Sequence, residues 1–238
     1  MKESGIFYDS ANLEEFKKWF KTGILGGATT NPVILQKEGV LNIPEHISKM
    51  IDIAGDGFPI SIEIPDSTMT REEMVDLAIK YRNRFPGNAV IKVPMDVRDS
   101  QKAFEVMYRL SQEGVRVNAT LGLSAGQLIG ASEALRRSND SYVSLFWGRC
   151  DEAKGEGGAE SALKTTISYL QKHSLATKII IGSIRNTNQI ERAFELGADI
   201  VTIPPKLLED WMFTQRGVET ADQFNKAYRD VKDKMKLI

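Results

Sequence analysis

The chain has 238 residues, enough for one large domain with a buried core, and its 31 basic and 32 acidic side chains nearly cancel. That balance creates no overall field for nucleic acid or for a membrane surface, so the expected partner is a small molecule. The single cysteine, Cys150, cannot form an internal disulfide, MKESGIFYDS carries no leader-like apolar stretch, and no run approaches the ~18 apolar residues of a membrane span, so a cytoplasmic protein is expected.

In chain order, eight short apolar or β-branched runs read as strands: GIFYD at 5–9, ILGGAT at 24–29, PISIEI at 59–64, NAVIKV at 88–93, VRVNATL at 115–121, SYVSLF at 141–146, KIIIGS at 178–183 and ADIVTI at 198–203. Between them, apolar positions three and four apart predict helices over 13–20, 71–84, 100–112, 125–136, 159–172 and 188–196. The alternation implies a parallel sheet. Eight strands in this length favour a closed (β/α)8 TIM barrel, with an open doubly wound sheet as the alternative. An open sheet usually carries a glycine-rich first turn, whereas the glycine cluster here, Gly155-Glu156-Gly157-Gly158, follows the sixth strand and reads as a flexible loop or, less often, a phosphate cradle. No linker divides the chain, so residues 1–238 are expected to form one domain. Pro204-Pro205 predicts a non-helical turn after the last strand. A final helix over 220–235, an arm ending near 236, then carries Phe224, Ala227, Tyr228 and Val231 on one stripe, facing either its own barrel or a neighbouring subunit.

Along 88–93 side chains alternate, so Asn88, Val90 and Lys92 share one face. The outer face of a barrel is apolar, which leaves Lys92 pointing inward at the end where barrel enzymes keep their active sites. An ammonium stripped of water there favours its neutral, nucleophilic form; the ordinary reading is a lysine that snorkels out or pairs with a carboxylate. Other strands end in polar residues at the same level: Asp9, Thr29-Thr30-Asn31, Ser61 with Glu63, Asn118 with Thr120, Ser144 with Phe146, and Ser183 shortly before Arg185. Each alone is explained as a cap, a loop residue or core. Six such ends around one lysine are better explained as a site. Carbon–carbon cleavage beside a carbonyl needs a metal Lewis acid or a protonated imine on lysine. Zinc would need several histidines, and His46 and His173 both lie away from the strand ends, so neither a metal nor another cofactor is expected.

Seven stretches in order, FYDSANLEEF, TTNPVIL, IKVPM, VNATLGLSAGQ, SLFWGR, GSIRN and GADIVTIPPKLL, resemble those of the small transaldolases and fructose-6-phosphate aldolases over nearly the whole chain. The resemblance implies that Lys92 is the Schiff-base residue and Asp9 the acid/base at the sugar C4 hydroxyl. Glu63 and Thr120 match the pair that holds a water for proton transfer. Asn31, with Thr30 beside it, and Asn118 match positions for the donor's hydroxyls, and Ser144 matches one for its dihydroxyacetone end. Glu63 and Phe146 stand where the aldolases tend to carry Gln and Tyr, which reads as transaldolase. Arg149, Ser183 and Arg185 match the positions that hold the terminal anion.

The departures gather at that end: Leu145 and Trp147 interrupt the usual S-P-F-V-G-R, Gly122-Leu123 replaces part of T-L-x-F-S, Gly182 replaces the usual Ala, and the stretch around 138–140 is longer. Trp147 is expected to shape the anion pocket, in a way that suits a sulfonate, which carries one charge where a phosphate carries nearly two. The expected activity is transfer of a dihydroxyacetone unit from fructose 6-phosphate or 6-deoxy-6-sulfofructose to an aldehyde such as glyceraldehyde 3-phosphate. The alternatives are an aldolase and a non-catalytic sugar-phosphate-binding barrel. The resemblance further implies a homo-oligomer, a pentamer or a decamer.

Overall fold

The computed structural model describes residues 5–138, 140–232 and 235. The strands are β1 (Ile6–Asp9), β2 (Gly27–Thr29), β3 (Ile60–Glu63), β4 (Ala89–Pro94), β5 (Val117–Gly122), β6 (Tyr142–Phe146), β7 (Lys178–Gly182) and β8 (Ile200–Ile203). They pair in parallel and in sequence order, and β8 closes on β1. The expected closed barrel is therefore what forms.

Alternation along each strand sorts the side chains into two apolar bodies. Tyr8, Ala28, Ile62, Ile91, Val93, Val143 and Ile181 face outward and pack with the helices. Phe7, Val90, Tyr142, Ile180 and Ile200 form a separate cluster that fills the barrel's interior near its floor. Two residues further along four of these strands the inward positions turn polar: Asp9, Lys92, Ser144 and Thr202 follow Phe7, Val90, Tyr142 and Ile200, while Ile180 is followed by Gly182. The strand register sets these residues side by side, with Asp9 opposite Thr29, Glu63 opposite Lys92, and Lys92 opposite Asn118. A dry floor and a polar mouth thus follow from the same period of two.

The helices are α1 (Leu13–Phe20), α2 (Pro32–Lys37), α3 (Ile43–Ala54), α4 (Arg71–Arg84), α5 (Ser100–Gln112), α6 (Ala125–Ala134), α7 (Trp147–Lys154), α8 (Gly158–Lys172), α9 (Thr187–Glu195), α10 (Pro205–Met212) and α11 (Gln215–Val231). Several starts are written in the caps: Asn12, Asn31, Ser124 and Asn186 each accept from a backbone N–H of the first turn, and Thr70 with Glu73 forms a capping box.

Two sequence expectations need correction, and the loop reading of the glycine cluster is narrowed. Pro204-Pro205 does not hold the chain in a turn: Pro205 is the first residue of α10, where a missing N–H costs nothing and a fixed φ suits the helix. The glycine cluster is a tight link between α7 and α8, with Gly155 and Gly157 at φ +87° and +83° and Gly158 already helical. The final helix begins at Gln215, capped by Thr214, five residues before the expected start; positions 233, 234 and 236 of the expected arm lie outside the described residues. No residue of α11 is buried, and Phe224 and Tyr228 are 70% and 42% exposed, so the stripe does not pack on its own barrel. No helix among the described residues is long and apolar enough to cross a membrane.

The floor depends on Gly27. A Cβ there would press on the edge of the Phe7 ring that closes the barrel, 2.5 Å from Cε2, 2.7 Å from Cε1 and nearer still to Cζ. Gly27→Ala is expected to destabilise the fold by about 1–3 kcal/mol through overpacking, read as a lowered midpoint in denaturant unfolding. An unchanged midpoint would show that Phe7 can leave the floor freely.

Candidate active site

The polar mouth opens into a cavity of about 530 Å³. On its β1–β4 side stand Asp9, Thr29, Glu63 and Lys92; β5 and β6 contribute Asn118, Leu121, Ser144 and Phe146; Arg149, Gly182, Ser183 and Arg185 close the far side. The last wall is α2, through Asn31, Pro32, Val33, Ile34, Lys37 and Glu38. Alternation points each inward strand residue at this space, and the parallel order of the barrel gathers them at one end.

Lys92 is only 4% exposed. Its Nζ lies 2.8 Å from Glu63 Oε2 and donates to the Thr30 carbonyl at 2.8 Å. The lysine is thus buried and paired, its ammonium held by a carboxylate one strand away. Asp9 completes this corner, accepting from Thr29 Oγ1 at 2.7 Å, while the Thr29 and Thr202 hydroxyls share a 2.5 Å contact. Burial pushes the Asp9 carboxyl above its ordinary value, and the Glu63 charge adds to that rise, while Lys92 and the Thr29 bond oppose it. The rise wins. A carboxyl raised in this way holds its proton more readily than a free one and is suited to both taking and giving a proton.

Across the cavity, Ser144 donates to Asn118 Oδ1 at 2.7 Å and Asn118 Nδ2 donates to Ser61 Oγ at 3.4 Å, a shelf of amide and hydroxyl groups suited to a polyol. The shelf leads to the cations. Arg149 lies over the Phe146 ring, 5.6 Å from its centroid. Arg185 Nη2 is 3.4 Å from Glu152 Oε1 with both side chains more than half exposed, a weak pair that leaves the guanidinium available to an anion. Ser183 takes a left-handed backbone at φ +57°, and its buried Oγ has no hydrogen-bond partner among the described residues. Leu121 is also left-handed, at φ +67°, beside an irregular register between Ala119 and Gly122. Strained backbone of this kind costs about 1–3 kcal/mol per residue and gathers at functional sites.

Most of the sequence-derived site converges here: Asp9, Asn31, Glu63, Lys92, Asn118, Ser144, Phe146, Arg149, Ser183 and Arg185 all line the cavity. Three residues do not. Thr30 is buried, its hydroxyl donating to the Ser61 carbonyl, and it reaches the site only through its own carbonyl on Lys92. Thr120 is fully buried with an unpartnered Oγ1, off the cavity wall. Trp147 sits in the apolar layer between barrel and helices, because α7 begins directly after β6 and the residue following inward Phe146 turns outward. Its expected place beside the anion is thereby corrected. His46 contacts the Ala11 carbonyl and His173 stacks on Tyr169, both outside the cavity.

The sequence reading missed Thr202 and the α2 wall, and noted Gly182 only as a departure at the anion end. Alternation from Ile200 would have found the first, whereas a six-residue helix leaves no periodicity to read.

Comparison with known proteins gives the family. The family model described as "Transaldolase/Fructose-6-phosphate aldolase" matches residues 6–237. Proteins described as "Probable transaldolase" are similar throughout: one from Lachnoclostridium phytofermentans is 36% identical over 95% of this chain and 98% of its own, and one from Heliobacterium modesticaldum 35% identical over 96% and 99%. Among solved structures, a mutant tryptophan synthase alpha-subunit from Pyrococcus furiosus superposes with a TM-score of 0.56 at 13% identity, covering 86% of this chain and 89% of that one, a likeness of fold alone. With a family match across nearly its whole length and relatives above 30% identity, the chain belongs to the transaldolase/fructose-6-phosphate aldolase family.

Proposed function

We propose that this protein is a cytoplasmic, single-domain transaldolase that moves a dihydroxyacetone unit from a ketose with a terminal anion to an aldehyde acceptor through a Schiff base on Lys92. The observation that carries the reading is the buried Lys92 amine, 2.8 Å from Glu63 and in the same cavity as an Asp9 whose carboxyl is raised by burial.

The chemistry follows from that corner. Lys92 must first lose a proton, and Glu63 is the adjacent acceptor. The neutral amine adds to the donor's C2 carbonyl, and loss of water leaves a protonated imine. Asp9 takes the proton of the C4 hydroxyl; as that oxygen becomes a carbonyl, the C3–C4 bond breaks and its electron pair passes into the imine, leaving an enamine on Lys92. The first aldehyde departs. An acceptor aldehyde then takes the enamine's electron pair at its carbonyl carbon while Asp9 returns the proton, and water releases the new ketose. Asn118 and Ser144 hold the three-carbon unit through the exchange, and Arg149, Ser183 and Arg185 hold the anion. The weak Glu152 partner of Arg185 and the aromatic, uncharged partner of Arg149 suit an anion of either one or two charges, phosphate or sulfonate. We further propose that α11 docks on a neighbouring copy in a pentamer or decamer, which would cover its exposed stripe.

Lys92→Met is expected to abolish turnover of both fructose 6-phosphate and 6-deoxy-6-sulfofructose with glyceraldehyde 3-phosphate as acceptor. Borohydride with either ketose should add mass to the wild type at Lys92; peptide mapping that finds the adduct on another lysine would overturn the mechanism.

Asp9→Asn is expected to accumulate the imine without cleaving it. Because burial raises the native carboxyl above its unfolded value, the native state holds this proton more tightly, and stability declines as pH rises from the ordinary carboxylate range through the raised value. The neutral amide removes that cost, so the variant's Tm should exceed wild type at neutral pH and converge with it in acid. A gap that widens toward acid would contradict the assignment.

A chain ending at Phe213 keeps every strand and α10. Light scattering should show it as a smaller particle than the full chain; equal subunit numbers would place the contact elsewhere.

A further inference from the structure

We infer that Thr202 is a positioning residue for proton transfer at Asp9: its hydroxyl donates to Thr29, which holds the Thr29 hydrogen on Asp9 Oδ1 and leaves Oδ2 as the oxygen that takes the C4 proton. This rests on the acid/base role proposed for Asp9 and adds what orients that carboxyl.

The direction of the chain follows from its hydrogens. A threonine hydroxyl has one hydrogen to donate and two lone pairs to accept with. Thr29 gives its hydrogen to Asp9 Oδ1 at 2.7 Å, so the hydrogen in the 2.5 Å contact between the Thr29 and Thr202 hydroxyls must belong to Thr202. The three residues stand on or beside one seam of the barrel, where β1 pairs with β2 on one side and with β8 on the other. Thr29 and Thr202 are both buried, so solvent has little access to either hydroxyl.

No other group takes this part at Asp9. The charges that act on its carboxyl are Lys92 from β4 and Glu63 from β3, and the Lys92 ammonium is directed at Glu63 and at the Thr30 carbonyl. From β2 and β8, the strands flanking β1, the chain of hydroxyls supplies the contact instead. Two threonines kept only for packing would satisfy each other. Here the pair ends on a carboxylate whose burial disfavours charge, and Thr29 and Thr202 both line the cavity. A hydrogen bond to a carboxylate favours its charged form, which is the form able to accept the C4 proton, and a donor behind that bond strengthens it.

The test separates the hydroxyl from the methyl. Thr202→Ala loses both and Thr202→Ser loses only the methyl, so the difference between the variants is the hydroxyl. In a single turnover of fructose 6-phosphate at neutral pH, Thr202→Ala is expected to release glyceraldehyde 3-phosphate about three- to tenfold more slowly than Thr202→Ser, the effect of one lost hydrogen bond. The acid limb of that rate should lie about half a pH unit higher in Thr202→Ala, because a less supported carboxylate takes up its proton earlier as pH falls. Thr202→Ser should stay close to wild type in both respects. Borohydride trapping of dihydroxyacetone on Lys92 should keep its wild-type rate and pH profile in both variants, since forming that imine breaks no carbon–carbon bond. Equal release rates in the two variants, an unmoved acid limb, or a parallel loss in dihydroxyacetone trapping would each overturn the role of Thr202. A wild type that traps nothing on Lys92, or an Asp9→Asn variant that still cleaves the ketose, would instead sink the Schiff-base or the acid/base reading, and this inference with it.

Discussion

The Lys92–Glu63 ion pair is the interaction around which the mouth of the barrel is organised. Taking both charges out of water is costly, and a buried pair of this kind often returns no net stability. Here the cost is offset by geometry. The strand register sets Glu63 opposite Lys92, a backbone carbonyl takes a second ammonium hydrogen, and Asp9 lies close enough for its titration to feel both charges. A barrel stabilised only by packing would place apolar layers there, as this one does at its floor. Keeping ionisable groups at the mouth is intelligible if their proton exchange is used.

The rest of the site answers that charge by distance and direction. Polar groups that bond one another, Ser144 with Asn118 and Thr29 with Asp9 and Thr202, occupy the inward positions nearest the lysine. Guanidinium groups stand further out, where solvent reduces the penalty of an unpaired cation. Between them the chain is bent sharply. Left-handed Ser183 lets Ile184 return to the core while Ser183 and Arg185 both line the cavity, and Gly148 provides the clearance that lets α7 pass beside them. Local strain therefore lies at Ser183 beside the anion site and at Leu121 near the end of β5, while Asp9, Glu63 and Lys92 sit on regular strand geometry.

That division explains where the sequence was readable. Lys92, Asp9, Glu63, Asn118 and Ser144 occupy strands, where a period of two fixes the facing of every side chain. Trp147 was misread because its direction depends on where β6 stops and α7 begins. No local pattern announces that boundary, since Phe146 offers no side-chain cap. Pro205 was misread for a related reason: proline at the first position of a helix and proline in a turn look alike until the following residues find something to pack on.

From the sequence alone came the closed parallel barrel, the lysine at its mouth and the polar ring around it, because hydrophobic periodicity and strand count are local properties that the fold cannot easily override. Tertiary structure alone decided the rest. It brought α2 over the mouth as a wall, withdrew Thr30, Thr120 and Trp147 from the cavity, and left α11 without a surface to bury its stripe. Each of these depends on distances between segments far apart in the chain, which closure of the barrel sets and no single segment encodes.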